Sequence, residues 1–174
     1  MNLIEAISEE HSKSRASLIS VYIGESREHF SELMDLILGE NLLLACRASW
    51  VMTHCEDAPV LAAPYFEKLL ARISKDDAPP AVKRNTIKLF QEAEIPAALC
   101  GDIFNLCYEF LNNPDETAAV RIYSMTVLGR ICQSEPELVD EIRLLIKQHL
   151  PYSSAGYKAR ARRVLKELDD VPKK

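Results

Sequence analysis

The sequence predicts an all-α protein, an α-α superhelix of about four helical hairpins closed by a C-terminal capping helix, and three observations carry the prediction. The first is a pair of amphipathic stripes between Asn113 and Leu150. In AAVRIYSMTVLGRI the residues Val120, Tyr123, Val127, Leu128 and Ile131 follow one face of a 3.6-residue helix, and in LVDEIRLLIKQHL the residues Leu138, Ile142, Leu145, Ile146 and Leu150 do the same. Two stripes joined by a short turn bury each other as a hairpin. The second observation is a period of 38 residues, which separates Leu44, Val82 and Val120 in the first helices and Phe66, Phe104 and Ile142 in the second. Tyr157 continues the first series after 37. A fixed period in two independent registers is the signature of stacked repeats. The third is composition, since 174 residues with 48% hydrophobic content can bury a substantial core, and five glycines with 7% aromatics suit helices. The chain reads as one domain, residues 1–174.

In chain order, residues 2–10 are expected to form a short helix, and Ser12 or Ser14 to cap the next, which carries Leu18, Ile19, Val21 and Tyr22 as far as Gly24. Ser26 caps a helix through Phe30, Leu33, Met34, Ile37 and Leu38 that stops at Gly39, completing a degenerate first hairpin over 12–39. The second hairpin, 40–74, joins Leu42–His54 to Val60–Ile73. Asp57 and Pro59 mark the start of its second helix, and Pro64 implies a kink or a later start of regular hydrogen bonding. In the third, 77–112, Asp77 before Pro79 and Pro80 introduces Ala81–Glu92, and Pro96 introduces Ala97–Leu111. Asn113 and Pro114 open the fourth, 113–150, where Ser134 and Glu137 have the spacing of a capping box. After PYSSAG, Ser153 or Ser154 caps a last helix, Gly156–Leu168, as the C-terminal cap over 153–168, and Pro172-Lys173-Lys174 forms a frayed tail.

The A-V-[KR] step into a periodic apolar helix, at Ala81–Lys83 and again at Ala119–Arg121, resembles the HEAT and armadillo-like helical repeats over about residues 40–168. The chain is similar in particular to small bacterial HEAT-like proteins of unassigned function. The resemblance implies a surface presented to other macromolecules rather than a specific chemistry.

Formal charge is −5 and unevenly spread. Residues 1–40 carry eight acids and three bases, residues 41–117 eleven and seven, and residues 118–174 seven and eleven, so the C-terminal end is a basic pole. The five cysteines are odd in number without C-x-x-C spacing, and the start lacks the charged and apolar regions of a secretory signal. A reduced, cytoplasmic setting is expected. No apolar run is long enough to span a bilayer, so no membrane association is expected.

The sequence carries no phosphate-binding glycine loop, H-E-x-x-H or G-x-S-x-G, which argues against an enzyme, and neither cofactor nor metal is expected. Cys100 and Cys107, seven apart with Phe104 and Leu111, read as core packing, as does Trp50. His54-Cys55-Glu56-Asp57 gathers reactive groups at a helix C-terminus, where the dipole gives a thiolate no support. Ser153–Arg160, SSAGYKAR, has a superficial likeness to the serine-rich signature loop of the fumarase and adenylosuccinate lyase superfamily. It lacks the Met-Pro of that motif, and its serines read as helix caps.

The expected function is noncatalytic protein binding. Two rows beside the buried stripes of the second helices, Glu67, Asn105 and Arg143 in one and Ala71, Glu109 and Lys147 in the other, are expected to line a concave face grading from acidic to basic. On the last helix Lys158, Arg162 and Lys166 fall on one outer line, opposite Tyr157, Ala161, Val164, Leu165 and Leu168. Another protein, offering an acidic surface, is the expected partner. Nucleic acid is the disfavoured alternative, through the likeness in period to HEAT-like DNA glycosylases and the bases Lys158, Arg160, Arg162, Arg163 and Lys166, against overall acidity. An enzyme of uncharacterised chemistry is the third reading. Oligomeric state is left open by the sequence.

Overall fold

The computed structural model describes residues 1–172, so the Lys173 and Lys174 of the expected tail lie outside the described residues. Among the described residues the chain is all-α, without strands. It divides into two compact units, Met1–Glu94 and Ile95–Lys174.

The first unit contains α1 (Leu3–Glu9), α2 (Lys13–Ile23), α3 (Arg27–Leu38), α4 (Leu42–Met52), the single turn α5 (Ala58–Leu61), α6 (Phe66–Ile73) and α7 (Pro80–Glu92). Helix α4 is its centre, packed against α1, α2, α3 and α7. Its small residues explain why so many neighbours fit, because Ala45, Ala48 and Ser49 are fully buried and let adjacent backbones approach. Asn85 of α7 donates from Nδ2 to Ser49 Oγ at 3.0 Å, so the buried polar atoms of that contact are paired. The rings of Phe66 on α6 and Phe90 on α7 meet edge to face with centroids 5.3 Å apart.

The second unit contains α8 (Ala97–Asn112), α9 (Ala118–Ser134), α10 (Val139–His149) and α11 (Ala155–Asp169). Here α9 is central and packs most extensively on α8 and α11, with α10 as a further neighbour. Equivalent helices of successive repeats stack, α4 on α7 in the first unit and both α9 on α11 and α8 on α10 in the second. That stacking is the defining feature of an α-α solenoid. The period anchors Val82, Val120, Tyr157, Phe66 and Ile142 are all buried, whereas Leu44 and Phe104 are half-buried.

Most helix starts are fixed locally. Side-chain oxygens of Asn2, Ser12, Ser26, Asn41, Thr117 and Ser154 accept a bond from the backbone N–H three residues on. Such a cap contributes about 1 kcal/mol. Gly24 ends α2 at φ 47°, a conformation in which any other L-residue would be strained.

Several expectations are corrected. Ser134 does not cap α10: it is the last residue of α9, and its hydroxyl donates back to the Ile131 carbonyl at 3.0 Å. Pro136 opens a 3-10 turn, Pro136–Leu138, before α10 begins at Val139. Pro136 fixes φ at the start of this turn, and the chain tightens into a 3-10 turn instead of a capped α-helix start. Leu18 and Val21 point outward at 58% and 79% exposure, and Ala16, Ile19 and Ile23 form the buried stripe of α2. The expected helix Val60–Ile73 is interrupted at Pro64, which sits in the 3-10 turn Ala63–Tyr65, and regular α-hydrogen bonding resumes at Phe66. Asp57 makes no side-chain cap bond, and Pro79 rather than Asp77 occupies the cap position of α7. Asn113 organises a turn by accepting from the Asp115 N–H at 3.0 Å, and the helix waits for Thr117. Cys100, Trp50 and Tyr123, expected in the core, are half-buried.

Candidate functional site

The basic line on α11 rests on a firmly held helix. Ser154 Oγ accepts the Tyr157 N–H at 3.3 Å, and the Tyr157 hydroxyl donates to the Ile146 carbonyl at 3.5 Å. The Arg121 guanidinium lies 5.2 Å from the Tyr157 ring centroid, a cation–π contact, while its Nε donates to the Leu111 carbonyl at 3.2 Å. Tyr157, Ala161, Val164 and Leu168 are buried, with Leu165 half-buried beside them. Arg160 is drawn inward, Nη1 donating to Thr126 Oγ1 at 2.7 Å. The opposite line, Lys158, Arg162 and Lys166, is exposed, and successive members are about 6 Å apart along the axis. None of the three forms a salt bridge among the described residues. A cation with no partner of its own gives up little on meeting an external acid.

Arg143 is different from the rest of its row. It is half-buried and bonded to Asp169, with Asp140 4.0 Å away, because α10 and the end of α11 pack together there. Those residues line an open cleft of about 630 Å³ with Glu137, Val139, Leu168 and Val171. Two carboxylates, Asp140 and Asp169, flank the guanidinium, so Arg143 anchors the helix end rather than offering a free charge. Asn105 and Glu109 on α8 and Lys147 on α10 are exposed within the second unit, where His149 Nε2 and Asn112 Oδ1, 3.2 Å apart, tie the ends of α10 and α8. Glu67 and Ala71, on α6 of the first unit, are exposed as well.

The thiols are held in their protonated form. Burial, with Asp57 adding to it, pushes Cys55 up to about 12, burial pushes Cys107 up to about 12, and burial with Glu141 brings Cys132 to about 11. His54 Nδ1 sits 3.0 Å from the Trp50 carbonyl and faces the Trp50 ring edge-on, so this imidazole serves the helix end and not the neighbouring thiol. No group of three or more His, Cys, Asp or Glu able to hold a metal ion occurs among the described residues, and no helix there is long and apolar enough to cross a membrane.

Two surface features escape the sequence reading. Tyr152, in the 3-10 turn Leu150–Tyr152 just before α11, is 95% exposed, although an aromatic residue in a turn gives no periodic signal. On α3, Glu28, Glu32 and Asp35 are exposed at i, i+4 and i+7, a spacing that could have been read directly. Beside them, between α1 and α3, lies an open groove of about 390 Å³ with Leu3, Ile4 and Leu36 in its walls.

A family model described as a HEAT repeat domain matches residues 3–168. No curated protein and no solved structure matches the chain.

Proposed function

The chain belongs to the HEAT repeat domain family, whose members are generally protein-interaction scaffolds, and from that premise we propose that it is a noncatalytic scaffold that binds an acidic protein surface through α11. The observation that supports the reading is the unpaired line Lys158, Arg162 and Lys166 on a helix whose other face is locked into the second unit. A row of cations spaced by one helical turn on a formed helix can meet a row of carboxylates without ordering new backbone, which leaves the side chains as the part to be ordered. Within the second unit, the exposed residues Asn105, Glu109 and Lys147 would extend recognition along α8 and α10. Nucleic acid is the second reading, through the same exposed cations with the exposed Arg163 beside them.

Capture from native lysate, untreated and nuclease-treated, with the wild-type chain and a Lys158→Gln, Arg162→Gln, Lys166→Gln variant as baits, tests this. A protein retained by the wild type, released by salt and absent from the variant supports the reading. Retention that disappears with nuclease transfers the surface to nucleic acid.

A further inference from the structure

We propose that the groove between α1 and α3 receives Tyr152 of a second copy of this chain, with that copy's α11 lying antiparallel along α3 so that Lys158 meets Asp35, Arg162 meets Glu32 and Lys166 meets Glu28. The inference rests on the reading of α11 as a contact surface and names its partner. Both halves of the contact are present in one chain. The acidic line Glu28, Glu32, Asp35 runs about 10.5 Å along α3 and the basic line Lys158, Arg162, Lys166 about 12 Å along α11, so the charges can pair in sequence. All six side chains are exposed, and none forms a salt bridge among the described residues.

The apolar component fixes the direction. Glu32 and Asp35 border the groove whose walls include Leu3, Ile4 and Leu36, and Ile4 is 53% exposed there. Tyr152 is 95% exposed and lies six residues before Lys158, on the side of the basic line that an antiparallel arrangement brings to Asp35. The groove, about 390 Å³ in volume, has room for an aromatic side chain. An aromatic anchor in an apolar groove supplies affinity, while the flanking charges set orientation and register. Because the two surfaces differ, the contact is head-to-tail: each copy keeps one unused acidic face and one unused basic face, and association continues as an open chain or a ring.

Sedimentation velocity over a range of concentrations and salt tests this with three proteins: the wild type, an α3 variant (Glu28→Gln, Glu32→Gln, Asp35→Gln) and the α11 variant (Lys158→Gln, Arg162→Gln, Lys166→Gln). Gln preserves helix propensity, and a melting curve for each verifies that it folds. The wild type is expected to gain mass with concentration and lose it with salt. Each variant alone should associate on the order of tenfold more weakly or less still, since three ion pairs are lost. Mixing the two variants is the decisive arm. The α11 variant keeps the acidic face and the α3 variant the basic one, so together they should form a one-to-one complex that does not grow further. Tyr152→Ala in the α3 variant should weaken that complex. A wild type that stays monomeric throughout, or variants that associate as it does, or a mixture that forms no complex, overturns the proposal. If the wild type is monomeric yet still captures an acidic lysate protein through α11, self-association fails and the scaffold reading stands.

Discussion

Gly129 on α9 faces Val164 on α11 without room for a side chain between them: a Cβ placed at Gly129 would lie 2.8 Å from Val164 Cγ1. This contact sets how closely α11 approaches the centre of the second unit, and therefore where its basic line stands. Gly129→Ala should destabilise, because overpacking costs about 1–3 kcal/mol, against which the better helix propensity of Ala returns about 1. Val164→Ala alone should cost about 2 kcal/mol through lost burial. In the Val164→Ala background, however, the obstructing methyl is gone and Gly129→Ala should become neutral or stabilising. Denaturant melts of the four proteins check this change of sign, and additive losses would show that the two residues are not in contact.

The cap assignments separate serines that look alike in sequence. Ser154→Ala removes the oxygen that accepts the Tyr157 N–H and should cost about 1 kcal/mol. Ser134→Ala removes only a hydroxyl bonded back to its own helix and should stay within about 0.5 kcal/mol of wild type. Equal losses in urea melts would restore the capping box at Ser134.

What the sequence made legible was periodic. Val82, Val120 and Ile142 are buried where the 38-residue period puts them, and the starts at Ser12, Ser26 and Ser154 follow from hydroxyls placed before apolar stripes. The failures lie where one local rule met a competing one. Ser134 and Glu137 have the spacing of a box, but Pro136 between them imposes a 3-10 turn. Leu18 and Val21 are apolar yet exposed, because the buried stripe of α2 runs through Ala16, Ile19 and Ile23, so apolar character alone does not fix the face of that helix. On the candidate surface, the exposure of Lys158, Arg162 and Lys166 could be deduced from the stripe behind them. The half-buried state of Arg143 could not, because its partner Asp169 is 26 residues away and nothing local signals the pairing.

His149 gives the second unit a pH response. Burial, reinforced by the Arg121 charge, lowers its pKa below the ordinary value near 6.5. The unfolded chain therefore takes up a proton before the folded chain as the pH falls. This contribution to stability is complete above about 6.5 and is lost progressively as pH descends through that value toward the lower folded pKa. His149→Gln removes the titration, and the variant should lose less melting temperature between neutral and mildly acidic buffer than the wild type does. An identical acid-side slope in both proteins would show that His149 titrates alike in the folded and unfolded chains.

The central claim, that the exposed cations of α11 are a contact surface and not merely a solvated face, is tested most directly by the dissociation constant of the captured partner. It should be measured against salt for the wild type and for the Lys158→Gln, Arg162→Gln, Lys166→Gln variant, with a denaturant melt of each alongside. Relieving three like charges in a row while keeping helix propensity should leave stability within about 0.5 kcal/mol. Binding should weaken and its salt dependence flatten, since the charges that steer the encounter are gone. An unchanged dissociation constant with an unchanged salt slope would contradict the claim.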